Sequence, residues 1–461
     1  MNHNLEKFYQ TIKGKKIAVI GIGVSNTPLI EMLASHGAYV TACDKKTKAE
    51  LGSTAQKLEE MGVNFSLGEG YMDALSHDMI FKTPGMRFDH PKLLEAKEKG
   101  AIITSEMEVF FSLCPAKIFA VTGSDGKTTT TTLIYHILKE AGYRCHLGGN
   151  IGKPLLPEIE DIQPSDQVIV ELSSFQLHTM KKSPHIAVVT NVSPNHLDIH
   201  KSMEEYVDAK KSIFAYQTPK DRVVLNYEND ITKSFADEAK GDVIFFSKKP
   251  LSKGIFIKDG AIVAALGNGE EKIVDLKDIR IPGMHNVENF MAAAAAVAGL
   301  VEWTAVEKVA KEFGGVAHRI EFVRELNGVK YYNDSIASSP SRTIAGLYSF
   351  SQKLIVIAGG YDKHIPFDGL GEELCQRAKT VVLMGMTAPK IKEAIQKAPQ
   401  YLREKPQLIE CTQLPEAVKA ARSVARYGDV VVLSPACASF DLFKNFEDRG
   451  NQFKELVLNL D

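Results

Sequence analysis

An excess of either charge is missing from this sequence of 461 residues: 55 Lys and Arg face 57 Asp and Glu, for a formal net charge of −2. Without a large basic field nothing draws a nucleic acid backbone, so no nucleic acid partner is expected, and small anionic ligands must be held by local sites. Long apolar runs are missing too. The most apolar helical stretch, Met291–Leu300, is about half the length a membrane span requires, so it reads as a buried helix with no membrane partner. Met1–Lys16 is polar and lacks the apolar segment of a secretory signal. The cysteines, Cys43, Cys114, Cys145, Cys375, Cys411 and Cys437, have no paired metal-type spacing, and most stand beside apolar residues. Free thiols in a reducing compartment follow, and a cytoplasmic location is expected. No repeat of fixed period and no low-complexity tail is present.

What the chain does contain is short β-branched runs alternating with helical patterns from end to end. Expected strands are Lys16–Ile20, Tyr39–Ala42, Met79–Lys82, Ile118–Thr122, Gln167–Glu171, Ile186–Asn191, Arg222–Asn226 and Val243–Phe246, then Val329–Tyr332, Leu354–Ala358, Thr380–Met384 and Val430–Ser434. Continuous apolar strands between helices indicate parallel sheets covered on both faces, an α/β fold. The length suits three domains of roughly 150 residues. Breaks near Glu106–Pro115 and at the glycines of Phe313–Ala317 divide it into 1–107, 108–315 and 316–461.

The strongest local signal is Ile118–Ile134, IFAVTGSDGKTTTTTLI. An apolar strand enters Gly123-Ser124-Asp125-Gly126-Lys127-Thr128, and a helix pattern continues through Thr129. Glycines let successive N–H groups point at one phosphate, and the helix N-terminus adds its positive end. Lys127 can neutralise the β- and γ-phosphates, and Thr128 can ligate Mg²⁺. The loop is shorter than the ordinary GxxxxGK pattern, because Val121 stands where the first glycine would be. Glu171 ends another apolar strand, at the edge where α/β sheets bind ligands, and a carboxylate there would hold Mg²⁺. His196 lies just past a further strand and could complete a metal site. Taken alone, His196 reads as a hydrogen-bonded loop residue, and Lys210 and Lys211 as solvated helix lysines.

The shortened loop resembles the TGTNGKT loop of the Mur ligases and the folylpolyglutamate synthases, with Asp125 where asparagine is usual. Tyr206–Phe214, YVDAKKSIF, is similar to the Mur ligase helix that carries a carbamylated lysine, which makes Lys210 the matching residue. A lysine shielded from water can react with CO₂ as the neutral amine and become an anion able to bind Mg²⁺. Ile281–Phe290 resembles the family's GxHNxxN segment, in which Asn286 would face the adenine.

At the N-terminus, strand, glycine turn, helix and strand are followed by Asp44 at the spacing of a ribose-binding acid, although Asn26 replaces the third glycine of a dinucleotide fingerprint. In the Mur ligases that add D-glutamate, the matching loop holds UDP. The resemblance places Gly23, Val24, Ser25 and Asn26 around the diphosphate, Asp44 near the uracil, Thr83 in a second loop and Asn150 at the sugar-lactyl part. In the last third, Arg319 and Asp334 would contact ATP, Lys363 would pair with the glutamate side-chain carboxylate, and Ser439 and Phe446 would line the amino-acid pocket. Ile336 and Ser338 replace a lysine and a threonine of the family's NDSKATN. The DNPR motif of the ligases that add a diamino acid is absent.

The resemblance implies a Rossmann-like N-terminal domain, a central P-loop ATPase-type sheet and a Rossmann-like C-terminal domain. It further implies a monomeric ligase that uses ATP and Mg²⁺ to join D-glutamate to UDP-N-acetylmuramoyl-L-alanine. In that role Lys127, Glu171, His196 and Lys210 would be catalytic, with Thr128, Glu171, His196 and carbamylated Lys210 at the metal. The alternatives are a folylpolyglutamate synthase, a nicotinamide-dependent dehydrogenase, which gives Gly123–Thr128 no role, and a nucleotide-regulated binding module.

Overall fold

The computed structural model describes residues 3–23, 26–194, 200–267, 269–363, 365–402 and 405–461. Among them three sheets form. The first contains β1 (Lys16–Ile20), β2 (Tyr39–Asp44), β3 (Asn64–Leu67), β4 (Met79–Phe81) and β5 (Ile102–Thr104), in the order β3-β2-β1-β4-β5 and parallel throughout. The order reverses beside β1, so the crevice beyond the carboxyl ends of β1 and β4 is a topological switch point.

The second sheet is built from β6 (Lys117–Thr122), β7 (Cys145–Gly149), β8 (Gln167–Glu171), β9 (Ile186–Val189), β10 (Arg222–Asn226) and β11 (Asp242–Ser247). It continues through β12 (Gly254–Lys258), β13 (Ala261–Gly267) and β14 (Gly269–Asp275), and its order is β14-β13-β12-β11-β10-β9-β6-β8-β7. The third comprises β15 (Glu321–Leu326), β16 (Val329–Asn333), β17 (Leu354–Ala358), β18 (Ala378–Leu383), β19 (Gln407–Glu410) and β20 (Val430–Leu433), ordered β15-β16-β20-β17-β18-β19.

Every strand expected from the sequence is present, with its ends displaced by two residues at most. The all-parallel expectation fails at two places. β12, β13 and β14 form an antiparallel meander, and β15 runs antiparallel to β16. The β12–β13 and β15–β16 hairpins turn on two residues with positive φ, Asp259-Gly260 at 49° and 75° and Asn327-Gly328 at 51° and 75°. With both central residues in the left-handed region the turn matches the strand twist, a conformation that Asp-Gly and Asn-Gly tolerate.

The chain forms two compact units, Met1–Leu276 with Glu288–Val309, and Lys277–Val287 with Ala310–Asp461. In the first, one continuous core runs from Ile17 and Val19 of β1 through Phe110 to Ile118, Val168, Val189 and Val223. The helix Lys127–Glu140 opens with a run of threonines, poor helix formers, and is held instead by burial of Thr130, Thr131, Leu133, Ile134, Ile137 and Leu138. In the second, Tyr332, Val356 and Val432 pack one face of the third sheet, and Tyr331, Ile357 and Leu433 pack the other.

Phe290–Val297 is fully buried with no accessible surface. Alanines there let a helix lie close to its neighbours, so Ala294→Leu is expected to cost about 1–3 kcal/mol by overpacking, read as a lower urea midpoint.

Candidate active site

The phosphate loop leaves the carboxyl end of β6, which lies between β8 and β9. Gly123 has φ 152°, and a Cβ there would come within 1.9 Å of Thr190 Oγ1. Gly126 has φ 78°, and a Cβ would meet Asn289 Oδ1 at 2.3 Å. Both positions therefore require glycine. Asp125 is pinned through its backbone: its N–H donates to Asn191 Oδ1 at 3.0 Å, and its carbonyl accepts from Thr190 Oγ1 at 2.6 Å. The cradle thus closes whichever side chain Asp125 carries. Ser124 Oγ donates to the Ser193 carbonyl and lies 3.0 Å from Tyr206 Oη.

Four expected residues converge here. Lys127 Nζ donates to the carbonyls of Gly123 and Ser124 at 3.0 and 2.9 Å. Thr128 Oγ1 donates to Glu171 Oε2 at 2.7 Å, and Asn150 Nδ2 donates to Glu171 Oε1 at 3.0 Å. Thr129 is buried on the helix behind the loop. Asn150, expected at the sugar-lactyl part of a substrate, thus also orients Glu171.

Lys210 belongs to the helix Met203–Ala215, capped by Ser202, whose hydroxyl accepts from the Glu205 N–H. The buried face runs Tyr206, Ala209, Lys210, Ile213 and Phe214, a helical stripe in which a lysine takes an apolar position. Lys210 is 1% exposed. Its Nζ donates to the Gly123 carbonyl at 2.8 Å and lies 4.5 Å from the Tyr206 ring centroid. Burial foremost, then the nearby Lys127 charge, pushes its pKa down to about 7. Lys211 points away and pairs with Glu238 at 2.6 Å.

His196, Val24 and Ser25 lie outside the described residues. At the switch point of the first sheet, Gly21 and Thr83 approach each other: a Cβ on Gly21 would meet Thr83 Cβ at 3.5 Å. Gly23 accepts the Asn26 N–H at 3.2 Å. Asp44 accepts the N–H groups of Ile22 at 2.6 Å and Lys46 at 2.9 Å. Buried Asn26 donates from Nδ2 to the carbonyls of Ile20 and Gly21 at 3.0 and 3.1 Å. Its amide braces the turn and faces inward, where the resemblance had aimed it at a diphosphate.

In the second unit, Asn286 Nδ2 donates to the Pro282 carbonyl at 2.6 Å. Arg319 sits between two left-handed residues, His318 and Ile320, with φ 62° and 45°. Asp334 follows β16 and accepts from Ser434 Oγ at 2.8 Å and from the Ile320 N–H at 3.3 Å. Burial raises its pKa to about 7 against the opposing pull of those bonds. Lys363 is exposed and Ser439 is buried. Phe446 opens the helix Phe446–Leu458 and packs its ring edge-on to His318, with centroids 5.9 Å apart. Ile336, where the family carries lysine, donates its N–H to the His318 carbonyl at 3.0 Å.

Two site residues were absent from the sequence reading. Asn289, the second asparagine of HNxxN, accepts from Thr130 Oγ1 at 3.2 Å and packs against Gly126. Its spacing within that segment was the available signal. Arg449 is fully buried, donating to Ser335 Oγ and to the carbonyls of Ser335, Cys437 and Ala438 at 2.8–3.2 Å. It ties the Asp334 loop to the Ser439 loop, and no local pattern announces it.

Three domain families cover this geometry. Residues 15–105 match the Mur ligase MurD-like N-terminal domain, 121–297 the Mur ligase middle domain, and 318–437 the Mur ligase glutamate ligase domain. Solved structures share the fold. MurC of Thermotoga maritima aligns with a TM-score of 0.57 at 21% identity, covering 96% of this chain and 99% of that one. MurF of Thermotoga maritima in complex with ADP gives 0.55 at 19% identity, with 98% and 97% covered. The chain belongs to the Mur ligase family.

Within that family it stands with the UDP-N-acetylmuramoylalanine–D-glutamate ligases. The protein of that description from Acetivibrio thermocellus is 60% identical over 100% of both chains. Its counterpart from Ruminiclostridium cellulolyticum is 53% identical, also over 100% of both.

Asp334 supplies a pH test. Its folded pKa, about 7, lies above the unfolded value of about 3.9. The native state therefore binds the extra proton between those values, and the group's stabilising contribution, full below about pH 4, is lost as pH rises through about 7. Asp334→Asn is expected to flatten that part of the stability profile, measured by urea unfolding from pH 4 to 8. Gly126→Ala, strained by its φ and by Asn289, is expected to abolish nucleotide binding in a calorimetric titration.

Proposed function

We propose that this chain uses ATP to join the amine of D-glutamate to the alanine carboxylate of UDP-N-acetylmuramoyl-L-alanine, through an acyl phosphate. The observation that carries the reading is the glycine cradle Gly123–Gly126 ending at Lys127, with Thr128 and Glu171 in contact at 2.7 Å beside it. The full-length relatives described as D-glutamate ligases support the choice of substrates.

A carboxylate oxygen attacks the γ-phosphorus, and the bond to the ADP oxygen breaks. The neutral amine then attacks the acyl carbonyl, phosphate leaves with the C–O electron pair, and the amine proton passes to solvent or base. Both steps bring anions together. The N–H groups of the loop and the Lys127 ammonium act on the phosphates, where charge accumulates. Lys127 now donates to two loop carbonyls, so nucleotide binding requires it to exchange those partners for phosphate oxygens.

A hard divalent cation suits the Thr128 hydroxyl and the Glu171 carboxylate, since both are oxygen donors and Asn150 fixes the carboxylate plane. Mg²⁺ held there would neutralise triphosphate charge and align the γ-phosphate. Among the described residues no group of three His, Cys, Asp or Glu side chains is placed to hold a metal ion. Lys210, as a carbamate, would supply the second anionic oxygen donor, and its buried, partly neutral amine suits that reaction. His196 belongs to the same proposed set. In the second unit, Asn286, Arg319 and Asp334 are assigned to nucleotide, and Lys363, Ser439 and Phe446 to D-glutamate. Gly23, Val24, Ser25, Asn26, Asp44, Thr83 and Asn150 are assigned to the UDP-linked substrate, Asn26 through the turn it braces.

The divisions 1–107, 108–315 and 316–461 belong to this reading, and the family matches 15–105, 121–297 and 318–437 fall inside them. A monomer in the cytoplasm belongs to it too. Six free cysteines agree with a reducing compartment, and no described helix is long and apolar enough to cross a membrane.

Phosphate release is expected only with ATP, UDP-N-acetylmuramoyl-L-alanine and D-glutamate together, and not when L-glutamate replaces the D-isomer. Equal rates with both isomers would remove the acceptor assignment. Lys127→Ala is expected to lower kcat by at least about 100-fold, the scale of losing one transition-state donor.

A further inference from the structure

One ionic group in the first unit has no task in the scheme above. Arg87 lies in the loop after β4 that carries Thr83, and Glu205 lies on the first turn of the helix that carries Lys210. Arg87 forks onto two carboxylates. Its Nε and Nη2 donate to Asp89 at 2.8 and 3.0 Å, and its Nη2 and Nη1 donate to Glu205 at 2.8 and 3.2 Å. Lys201 closes the ring, with Nζ donating to Asp89 at 2.7 Å and its N–H to Glu205 at 2.5 Å. The Arg87 and Glu205 side chains are only 24% and 18% exposed. Bidentate geometry, partial burial and a network are the conditions under which an ion pair fixes a structure, where an isolated surface pair does not.

Aromatic rings run beside this link. Phe88 meets His178 at 4.5 Å, His178 meets His200 at 5.7 Å, and His200 meets Tyr206 at 5.2 Å between centroids. Tyr206 in turn touches Ser124 of the phosphate loop and lies beneath the Lys210 ammonium. Lys82, Pro84, Phe88, Phe175 and His178 wall a small shared cavity, so the loop also packs against the segment that carries Phe175 and His178, whose ring reaches Tyr206 of the helix through His200. Glu205 precedes Lys210 by five residues on one helix, a rise of about 7.5 Å along a rigid element. Displacing one displaces the other.

We propose that Arg87 and Glu205 are positioning residues for the ligation: their ion pair locks the loop Thr83–Asp89 to the helix Met203–Ala215, so that seating the UDP-linked substrate on the loop holds Lys210 at the phosphate loop. The inference rests on the proposed function, in which the Thr83 loop takes that substrate and Lys210 works as a carbamate. Neither residue touches reacting atoms. Their effect passes through the placement of Lys210, where an error of about 1 Å is enough to cost about 100-fold in rate.

The test measures initial rates of wild type, Glu205→Gln and Arg87→Lys while bicarbonate and UDP-N-acetylmuramoyl-L-alanine are each titrated. A ¹³C-bicarbonate NMR spectrum reports the lysine carbamate directly, and a thermal midpoint is taken for each variant. Both variants are expected to need about tenfold more bicarbonate for half-maximal rate, the scale of losing an orienting partner behind a metal ligand. The KM for the UDP-linked substrate should rise with it, while the KM for D-glutamate stays as in wild type. The double variant Arg87→Lys/Glu205→Gln should be no worse than the poorer single variant, because one interaction is lost once. If the wild type responds to bicarbonate and both variants follow the same curves, or if the single losses simply add, the inference is overturned while the carbamate reading survives. A wild type that ignores bicarbonate and shows no carbamate signal overturns the carbamate reading and the inference with it. Should Glu205→Gln fail to fold, the Arg87→Lys titrations decide, since that variant keeps the charge and removes only the fork.

Discussion

Two lysine ammonium groups, Lys127 and Lys210, donate to the same backbone carbonyl, that of Gly123. Much of the first unit serves that convergence. Gly123 has room for no side chain, because Thr190 occupies the space, and its carbonyl turns inward toward both amines. Like charges so close, one of them buried, cannot both hold their protons as firmly as in water, and the lysine shielded from solvent yields. The depressed pKa of Lys210 and the tight loop are thus two faces of one arrangement.

The loop is rigid because its side chains are committed elsewhere. Ser124 is tied to Ser193 and Tyr206, Asn191 holds both backbone groups of Asp125, and Thr128 holds Glu171. Glu171 is pinned on its other oxygen by Asn150. A site organised in this way loses little freedom when a triphosphate arrives, which is how preorganised donors stabilise developing charge. The second unit uses a different device. A desolvated guanidinium, Arg449, gathers backbone carbonyls from two loops, and burial lowers its pKa to about 10. An arginine so placed orders loops that no apolar side chain could reach with hydrogen bonds.

The sequence was most legible where one period or one steric need dominates. Strands buried on both faces read as unbroken apolar runs, and the central parallel strands of all three sheets were found that way. β3, β5, β7 and β19 escaped because they are short strands at sheet edges; of β12–β15, β14 and β15 are polar edge strands, while β12 and β13 are apolar runs joined by a tight turn. Their Asp-Gly and Asn-Gly turns were visible signals left unread. Lys210 over Lys211 rested on likeness to the family, yet the stripe Tyr206, Ala209, Lys210, Ile213, Phe214 selects it by helical spacing alone.

By itself the sequence determined the α/β class, the shortened phosphate loop and the family, because these depend on local periodicity and on glycines that backbone geometry demands within a few residues. Only the tertiary structure decided the work of Asn26, Asn150, Asn289, Arg87 and Arg449. Each of these side chains offers several donors or acceptors, and which partner it takes depends on what distant segments place within about 3 Å. Asn26 turned inward to its own strand end and Asn150 to Glu171. Arg87 found Glu205 across 118 positions of chain, a pairing that only the folded sheets bring within reach.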